Sequence, residues 1–304
     1  MDIVITYVNG ADPVWQAAYE ENNKVPPLAK RYRDWGTLKY LLRGIERNMP
    51  FVRNVYLVVS GPSQVPCWLD IDAIQVIFHR DIVPEQFLPV FNSTAIEMFL
   101  HKIPGLDKEF LYFNDDMYPL LECRESDFFR NGKGVIGFRK IFLDFGLYRK
   151  ILKSSDNAAR KALSMQRSKA FMKPQHICSP LIREECEKLY DTLEEEILSS
   201  VTRLRSSRNF SQYTFLDYQY HKGAMVNEKI SNRHFSLAVS NAREIHDFIQ
   251  FPDRKMVCIN DVQMSEEKYQ ICRKELQAAF RERFPKRSRY EKESEGCISS
   301  GIPL

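Results

Sequence analysis

The chain opens on Ile3-Val4-Ile5-Thr6-Tyr7-Val8, a run of β-branched and aromatic residues that predicts a buried strand. Asn9-Gly10-Ala11-Asp12-Pro13 ends that run with turn chemistry. Residues 14–33 predict a short helix and then a loop. Asp34 is placed to cap the next helix, whose buried face is Leu38, Leu41, Leu42 and Ile45 and which stops at Asn48-Met49-Pro50. Residues 55–59 and 74–78 predict two more strands. Asn92-Ser93 would cap a helix burying Ile96, Phe99, Leu100 and Ile103. A fourth strand, 110–113, runs directly into Asn114-Asp115-Asp116-Met117. Strand and helix therefore alternate through residues 1–120, the pattern of an α/β fold with a mostly parallel sheet and flanking helices.

The pattern then changes. Residues 124–150 predict hairpin material punctuated by Gly132, Gly134 and Gly137. From 151 to 223 the reading is mainly helical, including one acidic helix over 180–203 and another that ends at Gly223. Strands are predicted at 235–239 and 256–259, the latter running into Asn260-Asp261. A closing helix covers 265–284, and 285–304 read as polar and loose.

Composition narrows the function. With 304 residues, 44% of them hydrophobic, the chain can bury a large core without disulfides. The 44 basic against 40 acidic residues leave +4, too mild for a nucleic-acid binder. That balance suits an enzyme holding an anionic substrate, or one resting against an anionic membrane surface. No apolar run approaches the roughly 20 residues of a membrane span, and no signal peptide is evident. Seven cysteines, an odd number with no CxxC pair, predict reduced thiols and a cytoplasmic protein.

In open α/β sheets, ligands bind beyond the carboxyl ends of the strands. Three predicted strands end in polar loops there: Asn9–Asp12, Asn114–Asp116 and Asn260-Asp261. Adjacent carboxylates such as Asp115-Asp116 can hold a hard cation, and through it a diphosphate; they can equally form a turn. Asn260-Asp261 reads by itself as a helix cap, and Asn9–Asp12 as a plain turn. Arg31 and Arg33, and the later group Arg203, Arg205 and Arg208, suit phosphate oxygens but read singly as solvated surface residues. His176 lies in a turn-like segment. Histidine transfers protons near neutral pH, although a lone histidine is more often structural. Of the other histidines, His79 is the least secure as structural, because it follows a strand and precedes Arg80-Asp81.

Together these segments resemble the Stealth family. Asp2 through Pro13 resembles its first block. Arg31-Tyr32-Arg33-Asp34, Phe91-Asn92-Ser93, Ile96-Glu97, His101 through Leu106 and Phe113 through Met117 resemble its second. His176 with Arg205-Ser206 resembles the third. Cys258-Ile259-Asn260-Asp261 with Phe284-Pro285 and Ser288 through Glu291 resembles the fourth. Two positions depart from the pattern: Asn9 stands where the first block usually has Asp, and Val262 where the fourth often has a second acid.

The resemblance implies a Rossmann-like core and a phosphotransferase that moves hexose-1-phosphate from a UDP-sugar to a glycan hydroxyl, releasing UMP, in bacterial capsule or cell-surface polysaccharide synthesis. It implies Mg²⁺ or Mn²⁺ on Asp115, Asp116, Asn260 and Asp261. It implies donor binding by Asn9, Gly10, Asp12, Arg31, Arg33 and Asn92, and catalysis by His176, Asp116 and Arg205. The expected division is a nucleotide-sugar core over 1–150, a mainly helical insertion over 151–233, a return to the core over 234–291 and a loose tail over 292–304. The expected partners are the nucleotide sugar and a glycan or lipid-linked oligosaccharide, with peripheral contact at the inner face of the plasma membrane and no nucleic acid. A conventional metal-dependent glycosyltransferase releasing UDP is the alternative that the residues alone leave open.

Overall fold

The fold was examined in a computed structural model, which describes residues 1–293. The first half runs β1 (Asp2–Thr6), α1 (Pro13–Asn22), α2 (Leu38–Asn48), β2 (Val55–Val59), β3 (Gln75–Phe78), α3 (His79–Ile82), α4 (Ser93–Glu97), β4 (Glu109–Asn114), β5 (Met117–Pro119), β6 (Phe129–Arg130), β7 (Lys133–Ile136) and β8 (Phe138–Ile141). The second runs α5 (Gly146–Ala162), β9 (Phe171–Pro174), β10 (Ser179–Ile182), α6 (Arg183–Thr192), α7 (Glu194–Ser200), α8 (Tyr213–His221), β11 (Met225–Asn227), β12 (Asn232–Ser236), α9 (Ala242–Gln250), β13 (Met256–Asn260) and α10 (Glu266–Arg283).

The central sheet has the order β10-β4-β1-β2-β3. Its β4, β1, β2 and β3 are parallel, and β10 is antiparallel to β4. The parallel strands read as continuous apolar runs because both faces are covered: Ile3, Val4, Ile5 and Phe110 through Phe113 are essentially inaccessible to solvent. On one side α2 buries Leu38, Leu41, Leu42 and Ile45. It approaches the β5 segment so closely that a Cβ on Gly44 would lie 2.8 Å from the Pro119 carbonyl oxygen. The amino ends of the sheet are tied by the buried Asp2. It accepts from Arg53 Nε and Nη2 at 3.0 and 2.8 Å and from the backbone N–H of Asn54 and Asp107. The carboxyl ends are left for chemistry.

A second sheet, β12-β13-β5, sets the site. β13 pairs antiparallel with β5, Cys258 opposite Met117, and the Ile259 N–H donates to the Asp116 carbonyl at 3.0 Å. That pairing brings Asn260-Asp261 beside Asp115-Asp116.

Several sequence expectations need correction. Asp34 is not the cap of α2. The helix starts after Thr37, and Asp34 instead accepts from the Gly36 N–H at 2.8 Å, closing a turn. The long helix expected after Asn92 is a short α4 followed by a 3-10 turn over Leu100–Lys102. The acidic helix expected over 180–203 is an edge strand, β10, and two helices broken at Leu193. Pro180 is tolerated because β10 lies at the edge of the sheet. Helix α5 begins inside the expected hairpin region, and β9 interrupts the expected helical stretch.

Residues 285–291 are not loose. Tyr290 is buried, and Glu291 receives two hydrogen bonds from Arg43, at 2.7 and 2.6 Å. Most of the tail expected over 292–304 lies outside the described residues. Cys123, Cys178, Cys186, Cys258 and Cys272 are free and buried, but Cys67 is disulfide-bonded.

Candidate functional site

A cleft of about 250 Å³ opens at the carboxyl ends of β1, β4 and β13. Tyr7 enters it from the end of β1, Asn114, Asp115 and Asp116 from the β4–β5 link, and Asn260 and Asp261 from the end of β13. Arg31, Arg33 and Asp34 come from the loop before α2, Asn92 and Ser93 from the start of α4, and Arg205 from the loop before α8. Residues remote in sequence thus share one cavity because the parallel strands all deliver their carboxyl ends to it.

The acids are crowded. Burial, then Asp116 and Asp34, hold the Asp115 carboxyl well above the usual range. Burial also raises Asp116, to about 6, and the Cys258 thiol donates to its Oδ2 at 3.7 Å. Asp261 is raised by burial and pulled back by Arg33. Asp116 Oδ1 and Asp261 Oδ2 are buried with no hydrogen-bond partner. Like-charged carboxylates with orphaned oxygens in one pocket are stabilised by a cation; hard oxygen donors suit Mg²⁺ or Mn²⁺. Asn260 adds an amide carbonyl to the same wall.

The arginines divide into two kinds. The Arg33 guanidinium is already used: it donates to Asp261 Oδ1 at 3.3 Å, to Val262 O at 3.1 Å and to Met264 O at 3.0 Å, and lies 4.9 Å over the Tyr269 ring. It pins the loop that carries Asp261. Arg31 and Arg205 face the cavity together. Burial, then the Arg205 charge, lowers Arg31, and Arg205 Nε is buried without a partner. Arg205 Nη2 donates to Ser93 Oγ, so the two crowded cations are only partly satisfied within the protein.

Other expected donor contacts are internal wiring. Asn92 lines the cleft, but its carbonyl accepts from Thr94 and its amide donates to Thr202 O and Asn209 Oδ1, both at 3.1 Å. It fastens the loop that bears Arg205. Asn9, Gly10 and Asp12 do not line the cleft. Asp12 caps α1 and accepts from Ser63 and Gln64 at 2.6 and 2.7 Å. Gly10 donates to Tyr32 O at 2.7 Å, and a Cβ there would sit 2.5 Å from that oxygen. The turn therefore positions Tyr32 between Arg31 and Arg33. Tyr32, Trp15 and Phe91, packed against Tyr19, form an aromatic wall of the cavity.

His176 lies outside the cleft lining, behind Cys258. Its Nδ1 is 3.1 Å from the Tyr213 hydroxyl, which leaves Nε2 free. Burial, then His234 and Lys173, lowers it to about 4, so the ring is neutral at pH 7. The ligand atoms of His176, His234 and Cys258 lie within 4.8 Å of one another. Two imidazoles and a thiol suit a softer ion such as Zn²⁺ than the carboxylates do. Cys258 joins this group to Asp116.

The match to known proteins is extensive. The family profile for Stealth protein CR2, conserved region 2, matches residues 31–136, the segment carrying Arg31, Arg33, Asn92, Asp115 and Asp116. The capsular polysaccharide phosphotransferase WcwK of Streptococcus pneumoniae is 29% identical over 334 aligned positions, covering 96% of this chain and 99% of that protein.

The chain carries the Stealth conserved region 2 and is similar over nearly its whole length to a capsular polysaccharide phosphotransferase.

Two other relatives match, one over part of its length and one over nearly all of it. The receptor polysaccharide phosphotransferase WefC of Streptococcus oralis is 42% identical over 138 residues, 42% of this chain and 41% of that one. The exopolysaccharide phosphotransferase cps2G of Lactiplantibacillus plantarum is 27% identical, over 96% of each chain. Among solved structures, the galactosyltransferase LgtC aligns over 92% of this chain and 95% of its own at 11% identity, with a TM-score of 0.44.

Near the site lie further residues to which the sequence reading gave no site role. Asp34 is a fourth acid, near Tyr7 and Asp115. His79, read from the sequence as structural, lines the cavity, and burial lowers it to about 4. His234 could have been found only by knowing that β12 pairs with β13, which sets it opposite Cys258.

Proposed function

We propose that this chain is a Stealth-family enzyme that transfers a hexose-1-phosphate from a UDP-sugar to a glycan hydroxyl, forming a phosphodiester and releasing UMP. The reading is supported most by one observation: Asp115, Asp116 and Asp261 meet in a cavity whose other wall carries Arg31 and Arg205. An acid cluster facing an arginine pair is the arrangement a metal-bound pyrophosphate requires.

Asp115, Asp116 and Asp261, with Asn260 as a neutral donor, would hold Mg²⁺ or Mn²⁺. When bound, the cation would neutralise charge on the donor pyrophosphate. The protein's own groups do the rest. Arg31 and Arg205 bind the non-bridging phosphate oxygens, where charge spreads as the transfer proceeds. The aromatic wall of Trp15, Tyr32 and Phe91 offers a face to the uracil ring. Arg33 and Asn92 act by positioning Asp261 and Arg205. Asn9, Gly10 and Asp12 act by holding the Arg31–Arg33 loop.

The acceptor hydroxyl oxygen attacks the phosphorus that carries the sugar. The bond from that phosphorus to the nucleoside phosphate breaks, and the sugar–oxygen bond is kept. Two bases are candidates for the hydroxyl proton: His176, whose ring the Tyr213 hydroxyl orients and whose Nε2 has to be reached from outside the cleft lining, and second Asp116, which lines the cleft. In this reading the segment 151–233 completes the core by supplying His176 and Arg205. The acceptor is a surface glycan or its lipid-linked precursor, met at the inner face of a bacterial plasma membrane.

The test is cation dependence. Acceptor-dependent donor turnover should vanish in EDTA and return with Mg²⁺, and Asp116→Asn should not recover. Full turnover in EDTA would sink the proposed role of the carboxylates.

A further inference from the structure

The segment between β8 and the middle of α5 is unlike the rest of the surface. Phe142, Leu143 and Phe145 are 68%, 57% and 76% exposed, three large apolar side chains within four residues. Single exposed apolar residues are ordinary; a contiguous cluster marks a surface that something covers. Around it stand Arg139, Lys140, Arg149, Lys150 and Lys153, against the single acid Asp144. Five cations less one anion give +4 over residues 139–153, as much as the +4 of the whole chain.

The charges are also crowded at a cost. Arg139 and Lys173 are direct cross-strand partners between β8 and β9, a like-charge pair that weakens a sheet. Burial, then Arg139 and Arg149, lowers Lys173 from its ordinary value. Lys153 pairs with Asp144, but Arg139, Lys140, Arg149, Lys150 and Lys173 form no ion pair with a carboxylate among the described residues. The fold itself gains nothing from this arrangement. An external anion would relieve it, and the phenylalanines call for an apolar medium beside that anion. A bilayer with anionic headgroups supplies both at one depth.

We propose that residues 139–153, with Lys173, form a membrane-docking surface: Phe142, Leu143 and Phe145 enter the headgroup–acyl boundary, and the surrounding lysines and arginines hold anionic lipid phosphates. No helix among the described residues is long and apolar enough to cross a membrane, so contact of this kind is superficial. The surface reaches His176 through Tyr148, whose hydroxyl is 3.3 Å from that of Tyr213, the partner of His176. Docking would therefore present a lipid-carried acceptor on the His176 side. That consequence rests on His176 being the base; the docking surface does not.

The experiment is sedimentation of the full chain with vesicles of phosphatidylcholine, with and without phosphatidylglycerol, across a salt series. Wild type should bind the phosphatidylglycerol vesicles at low salt, release as salt rises, and ignore pure phosphatidylcholine. Each cation near an anionic surface is worth about a fivefold change, so Lys140→Gln with Lys150→Gln should weaken binding about thirtyfold. Phe142→Ser with Phe145→Ser should weaken it about tenfold or more and leave the salt dependence. Neither double variant should change turnover of a soluble acceptor. Absence of binding at low salt, or equal binding to neutral vesicles, would overturn the proposal. So would self-association lost in the phenylalanine variant without vesicle binding, which would assign the patch to a second copy of the chain.

Discussion

Replacing Arg33 by methionine tests whether the Asp261 loop is held by one side chain. Arg33 and Asp261 are 8% and 12% exposed, so their ion pair is largely buried. The guanidinium also donates to Val262 O and Met264 O and lies against Tyr269. Methionine keeps the stem and removes the charge and all three hydrogen bonds. Breaking a buried pair on one side typically costs 3–5 kcal/mol, because the remaining charge is stranded. Here Asp261 borders a cleft that water can enter, so the lower end applies, about 3 kcal/mol. For a chain of this length that is a fall in Tm of about 6 °C. Asp261 also loses the side chain that fixes its loop in place, so cation binding should weaken in the same variant through lost positioning. Urea unfolding followed by tryptophan fluorescence reads the first effect; the Mg²⁺ concentration giving half-maximal turnover reads the second. Arg33→Lys, which keeps the charge but not the fork, should fall between. Stability within about 0.5 kcal/mol of wild type, with an unchanged Mg²⁺ requirement, would refute the reasoning.

Two further predictions concern protons. His176→Ala should reduce turnover by about 100-fold or more while leaving donor affinity nearly intact, read by single-turnover kinetics beside donor titration; near-normal turnover would remove His176 from the role of base. Asp116 has its carboxyl raised from the ordinary 3.8 to about 6, so its contribution to stability is full below pH 4 and is lost as pH rises through 6. Metal-free Asp116→Asn should then be more stable than metal-free wild type at pH 7, by roughly 1–3 kcal/mol, although inactive; equal urea midpoints at pH 7 would contradict the assigned crowding.

The parts of this fold legible in the sequence are those where one physical demand dominates. β1, β2 and β4 are covered on both faces, so their apolar runs stand out, and the polar residues after β1, β4 and β13 mark where the sheet delivers chemistry. β10 was hidden because four residues including Pro180 carry no strand signal; its position depends on pairing with β4. Loop chemistry was ambiguous for a physical reason. The oxygen and amide groups that bind a nucleotide are the same groups that cap helices, and at Asn92 and Asp12 the protein uses them internally. Arg33 was legible as a site residue but not as a strut. The grouping of His176, His234 and Cys258 depends on β12–β13 register, which no local pattern encodes. Asp34, read as a cap, lies on the cleft wall, and the cap position of α2 falls three residues later at Thr37.

The most direct measurement is the identity of the nucleotide released. The protein is incubated with Mg²⁺, a series of UDP-sugars and an oligosaccharide acceptor, and UMP is separated from UDP. Acceptor-dependent UMP, with the sugar recovered in a phosphodiester, is the result expected of attack at the sugar-bearing phosphorus. Acceptor-dependent UDP would mean attack at the anomeric carbon and would contradict it.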